Sequence, residues 1–309
     1  MTRLLSIDVG GAHIAGALVD GGLVLRRAQI AVERTDSFLA YLPEIEGMLA
    51  ALDDRNEARG IAVAFPALVD PNGNRVLSTP AGKFEDVVGF DFDGWARDRL
   101  HLPVRLELDG RMALLGERFI GALRGENDAA LLALGTGIGT AAMMGGGLVT
   151  GRNGQAAALG GHLSVSADGP ACICGSVGCI EAMASTWALP RLIATLSAET
   201  ALASTPRPGF KLVFDLARDG DKGAQQIRDH CLGMWATAAL NLVHAYDSAV
   251  ILLTGGIAAA PEVLPFVQRH VRRYAWAARD RPHVRLGVLG ADAALLGAEP
   301  LWEKNREQV

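Results

Sequence analysis

Between Gly160 and Ala182 the chain reads GGHLSVSADGPACICGSVGCIEA, and three of its four cysteines fall within eight residues there. With the preceding histidine they form the pattern H-x9-C-x-C-x4-C, from His162, Cys172, Cys174 and Cys179. Three thiolates and an imidazole are a complete tetrahedral donor set for zinc, and a closed set of four is the structural rather than the catalytic type. Two other readings fit the same residues: an unmetallated glycine-rich loop, and a single activated cysteine nucleophile. Crowding three thiols together serves metal ligation better than it serves one nucleophile. Four unevenly placed cysteines in 309 residues do not make a disulfide framework, and Cys231, in an apolar helical run, reads as core.

Glycine-rich turns follow three separate apolar runs: Gly10-Gly11, Gly135-Thr136-Gly137 and Gly255-Gly256. Glycine lets the backbone approach a ligand closely, and successive N–H groups can cradle phosphate oxygens. Each turn alone is no more than a tight turn; three at strand ends are a rarer combination. Asp109 ends the apolar run PVRLELD and precedes a helical pattern, which suits a general base and equally a helix cap. Asp8, in an otherwise apolar first strand, could hold a magnesium-bound water or lie at the strand's exposed end. Glu181 follows the last cysteine by two residues, so a metal clip would fix its direction; without one it reads as a solvated charge.

The elements that must position these groups follow from periodicity. Residues 4–32 alternate apolar and polar positions around Gly10-Gly11 and Asp20-Gly21-Gly22, the signature of antiparallel hairpins. A dinucleotide-binding fold would need a helix after the first glycine pair, and none begins there. A helix is expected over 36–54, a buried strand from Gly60, a helix near Trp95–Leu100, a strand ending at Asp109 and a helix up to Gly125. AALLALGTGIGTAAMMGGGLVTG then repeats the opening layout, which suggests an internal duplication. Further on come an apolar helix from about Ile227 to Tyr246, the strand SAVILLTGG, a helix opened by Pro261, a strand near VRLGVLG and a last helix.

Half of the residues are hydrophobic and a fifth charged, enough apolar material for packed cores and too much for disorder. A formal net charge of -5 argues against nucleic acid as the main partner. The opening MTRLLSIDVGG is too short for a signal-peptide core or a membrane span, so a cytoplasmic protein without a membrane partner is expected.

The set IDVGGAHIAGALVD, LALGTGIGTAAMMGGGLVTG, GGHLSVSADGPACICGSVGCIEAMAS, VILLTGGI and ADAALLGAE resembles the ROK family of sugar kinases and repressors over nearly the full length. The resemblance implies an α/β, two-lobed, actin-like ATPase (ribonuclease H-like) fold, with sugar and ATP meeting in a cleft. The implied lobes are a smaller one over 1–108, completed by a helix at about 291–309, and a larger one over 109–290. The implied reaction is ATP-dependent phosphorylation of a hexose or N-acetylhexosamine hydroxyl, with Mg²⁺ and a structural Zn²⁺. Residue by residue, Asp109 matches the catalytic base and Asp8 the carboxylate near Mg²⁺. Gly10 and Gly11 match the first phosphate loop, Gly135, Thr136 and Gly137 the second, and Gly255 and Gly256 the turn beside adenosine. His162, with Cys172, Cys174 and Cys179, matches the zinc set and also faces the sugar; Glu181 matches a sugar-hydroxyl acceptor. A homodimer or larger assembly is implied as well.

The chain departs from the family pattern at the site. Ala12 and His13 stand where Thr and Lys usually follow the glycines, removing a hydroxyl donor and a fixed cation. Leu108 replaces an asparagine that binds sugar, and Leu159 a glutamate. Losing an amide and a carboxylate together weakens binding of a glucose-like acceptor, so either the substrate differs or catalysis has decayed. Lys83, Glu85 and Asp86 are candidates for replacement contacts. The alternative is a ROK-derived protein that binds a sugar or nucleotide without turnover. The repressor branch is disfavoured because the first strand starts within a few residues, before any helix-turn-helix.

Overall fold

The computed structural model describes residues 3–33, 37–71, 73–80, 82–196, 200–277 and 279–303. They form two compact units: Met1–Gly125 with Leu148–Ala158 and Val288–Val309, and Glu126–Gly147 with Leu159–Gly287. The division thus falls after residue 125 rather than 108, and the two units are of nearly equal length. The reason lies in the helix that starts at Asp109: its Met112 and Leu115 pack with Leu4, Ala62 and Ala64 of the first unit's strands.

The first unit is built on β1 (Leu4–Val9), β2 (His13–Asp20), β3 (Leu23–Ala31) and β4 (Ile61–Phe65). A small hairpin, β5 (Leu68–Val69) and β6 (Val76–Ser78), precedes β7 (Val104–Leu108). The five-stranded sheet runs β3-β2-β1-β4-β7, with β1, β4 and β7 parallel and the expected hairpins antiparallel. Period-two alternation splits it into two faces. Leu5, Ile7, Val9, Ile14, Val63 and Phe65 pack under α1 (Leu42–Leu52), while Leu4, Ala15, Ala17, Ala62 and Ala64 face α3 (Asp109–Phe119) and the C-terminal helices Ala293–Leu296 and Ala298–Glu303. Between them in sequence, α2 (Phe92–Trp95) continues as a single π-helical turn, Ala96–Leu100.

The second unit repeats the plan. β8 (Ala129–Leu134), β9 (Ile138–Met144), β10 (Gly147–Leu148), β11 (Val250–Thr254) and β12 (His283–Leu286) run in the order β10-β9-β8-β11-β12. β8 is antiparallel to β9 and parallel to β11, as β1 is to β2 and β4. The duplication suggested by the glycine turns is therefore present as topology. Helices α4 (Ile180–Ala184), α5 (Leu189–Ala194), α6 (Phe210–Arg218), α7 (Lys222–Tyr246) and α8 (Val263–Tyr274) complete this unit. Fully buried Trp235 of α7 packs edge-on against Phe210 at 5.1 Å and donates its Nε1–H to Ala184 O at 2.9 Å. Among the described residues no helix is long and apolar enough to cross a membrane.

Three helix ends differ from expectation. A 3-10 turn at Leu39–Tyr41 precedes α1, and residue 36 lies outside the described residues. α3 stops at Phe119, where the Glu117 carboxylate accepts the Ala122 N–H at 2.8 Å and the Leu289 N–H at 2.9 Å and diverts the chain. Helix α8 begins at Val263, two residues beyond Pro261.

Candidate active site

Because β1, β4 and β7 are parallel, their C-terminal ends share one sheet edge, where α/β sheets bind ligands. Asp8 is the penultimate residue of β1, and Asp109 follows the last residue of β7. The helix starts at Asp109 itself, so Leu108 occupies the capping position and the capping role does not fall to Asp109. Asp109 Oδ1 accepts the N–H of Gly110 at 2.7 Å. Burial raises the Asp109 carboxyl above its ordinary range, against smaller opposing effects from that N–H and from Lys83. Burial, and then the neighbouring Asp109 charge, push Asp8 up to about 7; Arg27 and Lys83 pull the other way.

Beside these carboxylates the Gly10 N–H donates to His13 O at 3.0 Å, closing the turn between β1 and β2. Among the described residues the exposed Gly11 and Ala12 make no backbone donation, which leaves two N–H groups for an anion. In the second unit the corresponding turn joins β8 to β9. Gly135 N–H donates to Gly137 O at 3.1 Å, Gly135 O accepts from Thr186 Oγ1 at 2.9 Å, and the Thr136 and Gly137 N–H groups are open among the described residues. Gly255, at the end of β11, has φ +86°, and a Cβ there would lie 2.3 Å from Leu134 O at the end of β8. Gly256, next to it, faces open space.

The cysteine loop brings its four residues together: one donor atom each from His162, Cys172, Cys174 and Cys179 lies within 4.8 Å of the others. His162 Nδ1 is 3.5 Å from Cys172 Sγ, and Cys174 Sγ is 3.6 Å from Cys179 Sγ. Burial pushes the Cys179 thiol up to about 12 and raises Cys172, while the Ser176 N–H leads in lowering Cys174. Holding all three as thiolates requires a cation, and the soft donor set fits zinc. Cys231 is fully buried in α7, a core residue.

Cys179 directly precedes α4, which places Glu181 in that helix's first turn. Its carboxylate is buried: Oε2 accepts the Ile138 N–H at 2.8 Å and Oε1 the Trp187 Nε1–H at 3.2 Å. A Cβ on Gly137 would lie 2.6 Å from Oε2, so a side chain there would push this carboxylate off its two donors. Glu181 therefore ties the cysteine loop to the second glycine turn, a role its sequence position does not reveal.

Of the replacement contacts, Asp86 is taken up by Ser37 Oγ at 2.7 Å and the N–H groups of Phe38 and Leu39, and Glu85 by the Gly82 N–H. Leu108 is half-buried and Leu159 is 41% exposed. Arg111, read only as part of a helix, is buried in the first unit. It pairs with Glu107 at 3.2 Å and donates to the carbonyls of Val149, Gly154 and Ala156. Glu107 lies in β7 and Arg111 in α3, so no helical spacing joins them in the sequence, and the carbonyl partners are more distant still.

Two mixed sheets of one strand plan, with carboxylates and glycine turns at strand ends, define an actin-like ATPase fold. The protein belongs to the ROK family, whose description its residues 4–305 match. It is 32% identical over 270 residues to a glucokinase from Thermotoga maritima, covering 85% of this chain and 84% of that protein. It is 30% identical over 305 residues to an N-acetylmannosamine kinase from Vibrio cholerae serotype O1, covering 96% and 98%. Among solved structures, a ROK glucokinase from Streptomyces griseus in complex with glucose and AMPPNP superposes with a TM-score of 0.79 at 28% identity, covering 97% and 98%.

Proposed function

We propose that the protein is an ATP-dependent carbohydrate kinase acting on a hydroxyl of a hexose or N-acetylhexosamine. The observation that carries this is the buried Asp109 carboxyl on a strand edge shared with Asp8 and with the open N–H groups of the Gly10–Gly11 turn. In the reaction the acceptor oxygen forms a bond to the γ-phosphorus as the bond to the β,γ-bridging oxygen breaks, and that electron pair leaves with ADP. Asp109 takes the acceptor proton, and a raised carboxyl makes a stronger base near neutral pH. Mg²⁺ held through Asp8 would neutralise phosphate charge, the main requirement of such a transfer.

The turns at Gly10–Gly11 and Gly135–Gly137 bind phosphate oxygens through their open N–H groups, and Gly255 and Gly256 line the nucleoside. His162, Cys172, Cys174 and Cys179 hold a structural zinc, which keeps His162 and Glu181 placed for the acceptor. The family resemblance supports a homodimer or larger assembly and a cytoplasmic location, and the net charge of -5 a sugar rather than nucleic acid as partner.

The test is ADP release from Mg-ATP by zinc-loaded protein across hexoses, N-acetylhexosamines and polyols, beside Asp109→Asn. Turnover with one acceptor that vanishes in the variant supports the kinase. Absence of turnover in folded, zinc-loaded protein favours a sugar-binding protein without catalysis, the reading to which Leu108 and Leu159 point.

A further inference from the structure

Lys83 lies on the segment between β6 and α2, 72 residues from Gly11 in sequence. Its Cε and Nζ are 3.6 and 3.7 Å from the point a Gly11 Cβ would occupy. The segment is pinned on both sides of the lysine. Phe84 is fully buried, with ring centroids 5.9 Å from Phe38 and 6.1 Å from Phe65, and it holds the left-handed φ of 55° that a phenylalanine adopts only under constraint. Gly82 N–H donates to Glu85 Oε1 at 2.7 Å, and Asp86 accepts three hydrogen bonds from Ser37, Phe38 and Leu39.

The ammonium held there makes no ion pair or side-chain hydrogen bond among the described residues. Its charge nevertheless reaches both Asp8 and Asp109. A phosphate placed on the open N–H groups of Gly11 and Ala12 would bring negative charge toward two buried carboxylates. Backbone dipoles alone offset that poorly, and a pre-positioned cation offsets it at no reorganisation cost.

Resting on the kinase reading, we infer that Lys83 Nζ binds the terminal phosphoryl oxygens of the nucleotide at the Gly10–Gly11 turn. It is the fixed cation of this phosphate site, delivered by a distant loop rather than by the turn. Because ADP lacks the terminal phosphoryl, the contribution of Lys83 falls on the triphosphate alone.

The experiment is calorimetric titration of zinc-loaded wild type, Lys83→Met and Lys83→Arg with Mg-AMPPNP and Mg-ADP, with thermal unfolding of each protein. The expected result is a loss of about tenfold or more in AMPPNP affinity for Lys83→Met, with ADP affinity and melting temperature unchanged, and substantial recovery in Lys83→Arg. A parallel fall for both nucleotides, or no change for either, overturns the inference while leaving the kinase reading intact. Failure of the wild type to bind either nucleotide overturns both. Titration with glucuronate separates the remaining source of an anionic oxygen: binding that depends on Lys83, with AMPPNP unaffected, assigns the cation to an acidic sugar and overturns the phosphoryl assignment.

Discussion

Asp8 and Asp109 sit at one sheet edge, and there the Asp109 charge adds to burial in disfavouring ionisation of Asp8. Asp8 has an ordinary value of 3.8 and is pushed up to about 7 when folded. Between those limits the folded chain retains a proton that the unfolded chain has lost, so stability falls as pH rises through the window and levels above about 7. Urea denaturation from pH 4 to 8 should show this decline in metal-free protein and a flatter profile in Asp8→Asn, a difference of a few kcal/mol at about 1.4 kcal/mol per pK unit. Equal slopes in both proteins would count against the burial account. Activity has the opposite sign, because the base must be ionised: kcat/KM should climb with pH toward neutrality. Arg111 makes a second residue-level case. Arg111→Met leaves Glu107 buried without its ion pair and frees three carbonyls, so the unfolding free energy should drop by about 3 kcal/mol. A change below 1 kcal/mol, roughly that of an exposed pair, would refute the clamp.

Among the elements, the proposed zinc bears on the cysteine loop, which brings four candidate donors together. Ser164 bridges to Cys179 and Ala171 to Val177, each through an isolated β-bridge, a thin backbone network for the segment that places Glu181. Removing zinc with a strong chelator should lower the melting temperature and loosen Glu181 from Ile138, detected as faster amide exchange at Ile138. Metal analysis finding no zinc in folded, purified protein would remove the basis for that expectation. The β11–β8 edge makes a different demand. At Gly255 an alanine meets both a positive φ and a carbonyl 2.3 Å away, so Gly255→Ala should cost about 1–3 kcal/mol and weaken nucleotide binding; Gly256→Ala, facing open space, should cost much less.

Across the whole molecule, binding and chemistry can be separated through linkage. A nucleotide that binds only the folded chain adds about 2.7 kcal/mol of stability at roughly one hundred times its Kd. Asp109→Asn should keep that gain in thermal unfolding while losing turnover, since Asp109 is assigned to the acceptor proton rather than to nucleotide affinity. Loss of both together would mean the variant disrupts the strand edge.

The amino-acid sequence by itself determined whatever rests on local spacing. Alternation around Gly10-Gly11 and Asp20-Gly21-Gly22 specified the first hairpins, the second glycine turn specified the matching pair, and H-x9-C-x-C-x4-C assembled a complete donor set within one loop. Turn chemistry and side-chain period act over a few residues, so both are legible without the fold. Tertiary structure alone decided which distant groups meet. Asp8 and Asp109 come to one sheet edge because β1 and β7 both run parallel to β4 between them; Lys83 reaches Gly11 because Phe84 is buried against Phe38 and Phe65; Glu181 lies on Gly137 because α4 starts directly after Cys179. The unit boundary shifted from 108 to 125 for the same reason, since α3 packs with the first unit's strands. Strand order and helix docking are set by long-range burial, which no short stretch of sequence encodes.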